Sequence, residues 1–284
     1  MTSALLALIA ALAAQPQSGV CDGYPVTATM DSSGVYDPSS VSSEPVRLRL
    51  VAGERGLPDE CAMAPVVITQ SGAGAFPVAL EGASGRLDAH ARYSDTVTMP
   101  GNRLELTLDA RRRLIAGEPV LVDMGDLRPG QYAAPGLYSA HVEIAAGTDV
   151  SALPVHVQVM PALRFVGSAE SGRADMNLGN PATGAQSAST QFMFLTNTAV
   201  EFSVRSDNSG ALVHEQGRGT GEIAYDAWLN QRPVALASGD ASVTMTFSPG
   251  SMVRSGELRL SVPQNASLLA GSYRDTITVT MTPF

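Results

Sequence analysis

Tyr273-Arg-Asp-Thr-Ile277-Thr-Val279-Thr-Met281-Thr-Pro-Phe284, the last twelve residues of the sequence, alternate cleanly. Tyr273, Ile277, Val279 and Met281 fall on one face at period two, and Thr276, Thr278, Thr280 and Thr282 fall on the other. Such alternation predicts a half-buried β-strand running from Tyr273 through Met281. No later segment of the sequence can turn back to pair with it. Either the strand is interior to a sheet already built upstream, or its sheet lacks a neighbour that another chain supplies. The rest of the sequence favours the second expectation.

Working outward, many short alternating runs are separated by Gly, Pro, Asn, Asp and Ser, and long amphipathic helical stretches are missing. That pattern predicts an all-β sandwich or barrel. The 284 residues suffice for two ordinary domains or one large one. All 18 basic residues are arginine, which reads as a genomic composition bias rather than a site. The net charge of −9 argues against nucleic-acid and anionic-membrane partners. Residues 1–14, with the apolar run Leu5-Leu-Ala-Leu-Ile-Ala-Ala-Leu-Ala-Ala14, read as a signal peptide and are too short to span a bilayer. In an exported chain the two cysteines, Cys21 and Cys61, are expected to pair, two buried free thiols being the alternative.

The chain also repeats itself. Leu106-Thr-Leu108, eight residues, then Gly117-Glu118 parallels Met245-Thr-Phe247, eight residues, then Gly256-Glu257. Pro135-Gly-Leu-Tyr138-Ser-Ala-His-Val142-Glu-Ile144 parallels Ala270-Gly-Ser-Tyr273-Arg-Asp-Thr-Ile277-Thr-Val279. A fainter echo pairs Phe76-Pro-Val78 with Phe202-Ser-Val204. Two related β-domains are expected, 20–160 and 161–284. After Ile144, the turn Ala145-Ala-Gly-Thr-Asp149 leads into a second alternating strand carrying Leu153, Val155, Val157 and Val159. This strand either closes the first domain as a hairpin, the preferred reading, or opens the second domain. On the hairpin reading the second domain lacks a final strand that the first one owns. A missing edge strand leaves unpaired backbone groups and an open core.

Gly271-Ser-Tyr273-Arg-Asp275-Thr-Ile277-Thr-Val279-Thr resembles the closing strand of the spore coat protein U family, which includes pilin-like subunits of archaic chaperone–usher pili. Met176-Asn-Leu-Gly179, Gln191-Phe-Met-Phe-Leu-Thr-Asn197 and Phe202-Ser-Val-Arg-Ser-Asp-Asn208-Ser-Gly-Ala-Leu212 resemble that family's early strands, and Ile223-Ala-Tyr225 its central tyrosine strand. The match covers most of 161–284, which departs from the family pattern in having no cysteine. The resemblance implies immunoglobulin-like β-sandwiches, the C-terminal one an incomplete pilin-type sandwich lacking its last strand. It also implies a periplasmic chaperone, an outer-membrane usher and an adjacent pilin subunit that donates a strand.

Position in such a fibre follows from the residues. The seven residues from Ala14 to Val20 include one sizeable aliphatic and are interrupted by Pro16, so they make a poor donor. The chain is expected to accept a strand along Tyr273, Ile277, Val279, Met281 and Phe284 without giving one. That layout suits a tip adhesin or another minor subunit, passing through the periplasm to the cell surface, with the first domain facing a host or abiotic surface. No receptor-contacting residue is assigned. Alternatives are a self-contained envelope or spore-coat-like protein, and a periplasmic assembly factor of the same system. No Gly-x-Ser-x-Gly, Gly-x-Gly-x-x-Gly or Walker-type motif occurs, and His90, His141, His156 and His214 are scattered, so no catalysis, cofactor or metal is expected. Arg111-Arg-Arg113 reads as a solvated turn and Trp228 as core or groove lining; Ala73-Gly-Ala-Phe76-Pro77 and Gln131-Tyr-Ala-Ala-Pro135 read as loops, each with one aromatic that either forms an adhesive tip or packs inward.

Overall fold

The computed structural model describes residues 21–284 except 72–75, 93, 239–240, 249–252 and 266; the expected signal peptide lies outside the described residues. The fold is all-β and immunoglobulin-like. Strands up to Val159 are β1 (Val26–Met30), β2 (Val35–Tyr36), β3 (Glu44–Ala52), β4 (Val66–Gln70), β5 (Ala79–Gly82), β6 (Gly85–His90), β7 (Val97–Thr98), β8 (Leu104–Leu106), β9 (Val120–Leu127), β10 (Gly136–Ala146) and β11 (Asp149–Val159). The path β1-β3-β9-β6 continues through β5-β10-β4-β8-β7 because β6 pairs with both β9 and β5. Alternation buries one side of each long strand: Val46, Leu48 and Leu50 on β3, and Tyr138, Ala140, Val142 and Ile144 on β10. β11 lies antiparallel to β10 over its whole length, from Gly136↔Val159 to Ala146↔Asp149. Val155, Val157 and Val159 thereby enter the first core. The segment 153–159 is therefore the second arm of a hairpin.

The strands after Met160 are β12 (Leu163–Val166), β13 (Gln186–Thr196), β14 (Val200–Ser206), β15 (Ala211–His214), β16 (Glu222–Ala224), β17 (Asp226–Leu229), β18 (Arg232–Val234), β19 (Ala241–Met245), β20 (Arg254–Val262), β21 (Tyr273–Arg274) and β22 (Ile277–Pro283). They form the sheets β12-β13-β20-β17-β18, β19-β14-β22 and β16-β15-β21. Asn230 and Gln231, both at positive φ (47° and 66°), make the tight β17–β18 turn.

The two halves share one pairing plan. β1-β3-β9 corresponds to β12-β13-β20, and β8-β4-β10 to β19-β14-β22. The hairpin β5–β6 beside the start of β10 corresponds to β15–β16 beside β21. Ile144 opposite Ile68 has its counterpart in Val279 opposite Val204. The strand entries match in atomic detail. Gly136 and Gly271 both adopt positive φ, 142° and 149°. Two residues on, Tyr138 and Tyr273 each donate the phenol hydroxyl to the carbonyl four residues upstream, Ala134 at 3.0 Å and Leu269 at 3.2 Å. These are tyrosine corners of the kind that brace immunoglobulin-like sandwiches.

Three sequence expectations are corrected. Arg111–Arg113 lie on a helix, α1 (Leu108–Ile115), not in a turn; Thr107 caps it by accepting the Ala110 N–H. The Phe76/Phe202 echo has no structural basis, since Phe202 sits on β14, the counterpart of β4, whereas Phe76 precedes β5. Trp228 is half-buried on β17 between the inward-facing Ala227 and Leu229, with the Arg259 guanidinium 5.8 Å from its ring centroid. It is outside the core. Of the two alternatives left open for Tyr132 and Phe76, the structure has both packed inward, at 5% and 6% exposure.

Candidate functional site: the free edge of the last strand

Asp275 shapes the approach to this edge. Its carboxylate accepts from Ser206 Oγ (2.6 Å), Tyr225 Oη (2.5 Å), the Asn208 N–H (3.1 Å) and the Thr276 N–H (2.8 Å). Burial, and then the bond to Asp275, push the Tyr225 phenol well above its ordinary value and keep it a donor. This cluster breaks the expected strand in two. Tyr273 pairs with His214 on β15, and two residues, Asp275 and Thr276, separate the end of β21 from the start of β22. Tyr273 therefore stands apart from Ile277, Val279 and Met281, which share β22. Alternation read from side chains alone passed over the break, because Asp275 keeps the period while its carboxylate binds backbone and hydroxyl groups.

β22 pairs with β14 from Ser206↔Ile277 to Val200↔Pro283. The same register continues in Asp207 N–H to Thr276 O (3.0 Å) and Phe284 N–H to Ala199 O (3.2 Å). In an antiparallel ladder, hydrogen-bonded pairs alternate with non-bonded pairs. Residues 276, 278, 280, 282 and 284 thus direct their backbone groups at β14 or its flanks. Ile277, Val279, Met281 and Pro283 direct theirs away from it. Among the described residues β22 pairs with no second strand. The open ladder therefore offers N–H groups at Ile277, Val279 and Met281 and stops at Pro283, which has none.

The same three side chains face the core without being covered by it. Ile277, Val279 and Met281 are each half-buried, while their partners Phe202 and Val204 are fully buried. Around them the second core is open. Among the described residues it counts 13 buried members and 15 partly buried ones, Leu163, Phe165, Phe192, Met245 and Phe247 included. The first core counts 33 and 9. Among the described residues the first half closes where the second does not, because β11 covers the flank of β10 equivalent to the unpaired flank of β22.

Phe284 is corrected. Its parity places it on the threonine face, the residue is 58% exposed, and its carbonyl accepts from Thr198 Oγ1. It anchors the end of β22 and offers nothing to the open flank. Cys21 and Cys61 form a disulfide with Cα atoms 4.9 Å apart. That bond lies with Gly23, which bridges Gly147 in the β10–β11 turn, far along the chain from β22.

No protein-family profile matches this chain. No curated protein matches it. Solved structures with a similar course include a chaperone–tip adhesin complex described as vital for synergistic activation of CFA/I fimbriae biogenesis. That likeness has TM-score 0.39 and 12% identity over 92% of this chain and 91% of that one. Another is the CsuC–CsuE chaperone–tip adhesion subunit pre-assembly complex from archaic chaperone–usher Csu pili of Acinetobacter baumannii, with TM-score 0.41 and 13% identity over 91% and 100%. A secreted serine protease, VesC from Vibrio cholerae, reaches TM-score 0.27 and 9% identity over 90% of this chain and 51% of that one. At these TM-scores the likenesses carry no argument.

Proposed function

We propose that this chain is a non-catalytic subunit of a chaperone–usher pilus that accepts a β-strand from an adjacent subunit along β22, with residues 161–284 as the accepting domain. Residues 20–160 form a self-closed outer domain that meets a host or abiotic surface, as at a fibre tip. One observation supports the reading: among the described residues β22 is paired on one flank only, while its counterpart β10 is paired on both. An incoming strand restores what β11 supplies in the first half. It pairs with the free backbone groups of Ile277, Val279 and Met281 and covers their side chains, adding ~3 kcal/mol of apolar burial. Before assembly the same flank suits a periplasmic chaperone, which shields it, and an outer-membrane usher then delivers the subunit to the surface.

The test is thermal unfolding of the full chain, with Trp228 fluorescence reporting the second half, with and without peptides carrying N-terminal strands of candidate pilins. The expected outcome is a second half of low stability that a cognate peptide raises by several degrees or more. A second half that melts cooperatively at high temperature and ignores every peptide would sink the proposal in favour of a self-contained envelope protein.

A further inference from the structure

Asn197 joins the two halves, and no part of the strand-accepting edge accounts for it. It sits in the turn between β13 and β14 at 0% exposure. Its Oδ1 accepts the Ala162 N–H (2.8 Å), and its Nδ2 donates to the carbonyls of Met160 (2.9 Å) and Ala133 (2.9 Å). Thr196, equally buried, donates its hydroxyl to the Ala162 carbonyl at 2.9 Å. These bonds tie three segments together: the loop before β10, the connection 160–162, and a turn of the second half.

The loop is itself held to the first half. Gln131 N–H donates to Tyr36 Oη (3.0 Å), and Gln131 bonds the Asp88 backbone through both ends of its amide. Tyr132 is buried there, and the positive charge of Arg164 on β12 acts on its phenol. A connection of three residues ordinarily leaves neighbouring units free to swing unless a substantial interface holds them. Here a buried amide with three bonds replaces area with geometry. Breaking any one of them strands a buried polar group.

We infer that Asn197 is a positioning residue that locks residues 21–160 and 163–284 into one orientation, so the halves move as a single body. This stands whether or not β22 accepts a strand. It also assigns Gln131–Pro135 to the joint rather than to surface adhesion.

The test places nitroxide labels on the full chain at two exposed sites, Ser43→Cys and Ser187→Cys, and measures the spin–spin distance distribution. A narrow single peak is expected with Asn197 present. Asn197→Ala should broaden it roughly twofold or more while circular dichroism and Trp228 fluorescence stay native-like. A broad distribution with Asn197 present, or an equally narrow one in folded Asn197→Ala, overturns the inference. Should Asn197→Ala unfold, a Gly-Ser insertion between Met160 and Pro161 spares both cores and displaces the connection from Asn197. Broadening then supports the lock, and an unchanged width refutes it.

Discussion

Ser206 Oγ donates to Asp275 Oδ2 at 2.6 Å and in turn accepts the Gly210 N–H at 2.7 Å, so one hydroxyl links the end of β14 to the break between β21 and β22. Asp275 anchors four donors at that break. Asp275→Ala strands the Tyr225 and Ser206 hydroxyls and should cost ~2–4 kcal/mol, whereas Tyr225→Phe removes one donor and should cost ~1 kcal/mol. Urea midpoints followed by Trp228 fluorescence check the ranking; equal effects would mean that the carboxylate is satisfied by solvent.

The two faces of β22 should respond in opposite ways. Val279→Arg places a charge on the open apolar flank and is expected to abolish stabilisation by a cognate strand peptide. Thr280→Arg, one residue away on the outer face, should leave it intact. The peptide-induced shift in melting temperature is the readout, and loss in both variants would argue against an edge-specific site.

The two matched glycines offer a control within one molecule. Both hold positive φ, so alanine at either should cost about 1–2 kcal/mol of backbone strain. At Gly136 a Cβ meets nothing within 4 Å, whereas at Gly271 it would lie 2.1 Å from His214 Nε2. Gly271→Ala should therefore be the more destabilising, by a margin that Gly136→Ala calibrates; calorimetric melts decide it.

Alkaline pH should loosen the fold. Burial is the leading cause that raises the phenols of Tyr24, Tyr36, Tyr132, Tyr138 and Tyr225 above the ordinary 10.0. A phenol whose folded-state value is raised contributes stability that is fully present below its unfolded value and is lost as pH rises through the folded one. Melting temperatures should hold up to pH about 10 and fall above it. A flat profile through strongly alkaline pH would show that these hydroxyls ionise freely in the native state.

The disulfide closes a 40-residue separation in the first half and should stabilise it by about 4 kcal/mol. Cys21→Ser with Cys61→Ser should lower the first half's unfolding midpoint and leave the Trp228 transition in place. A matching shift in both transitions would mean that the halves unfold as one.

Much of this architecture was legible because period-two alternation and tyrosine spacing are local signals. The parallel between Tyr138 and Tyr273 marks a true equivalence, down to the hydrogen bond four residues upstream. The parallel between Gly117 and Gly256 does not. Gly117, at φ 86°, follows the helix end, while Gly256 lies in β20 opposite Phe192, whose ring would be 2.2 Å from an added Cβ. A glycine in sequence does not say which constraint it answers. Asp275 and Asn197 were silent for a related reason. The partners of Asn197 lie 35 to 64 residues away on backbone groups that carry no residue-type signature, and the distant partners of Asp275 lie 50 to 69 residues away, on two hydroxyls and a backbone N–H.

Pro283 sits where the open ladder of β22 would otherwise continue. A sheet edge with donors all along it invites any extended chain over its full length. With its nitrogen closed into a ring, Pro283 gives this edge an end as well as an opening. The open apolar flank of β22 is thus bounded along the strand, and pairing there is confined to the stretch from Ile277 to Met281.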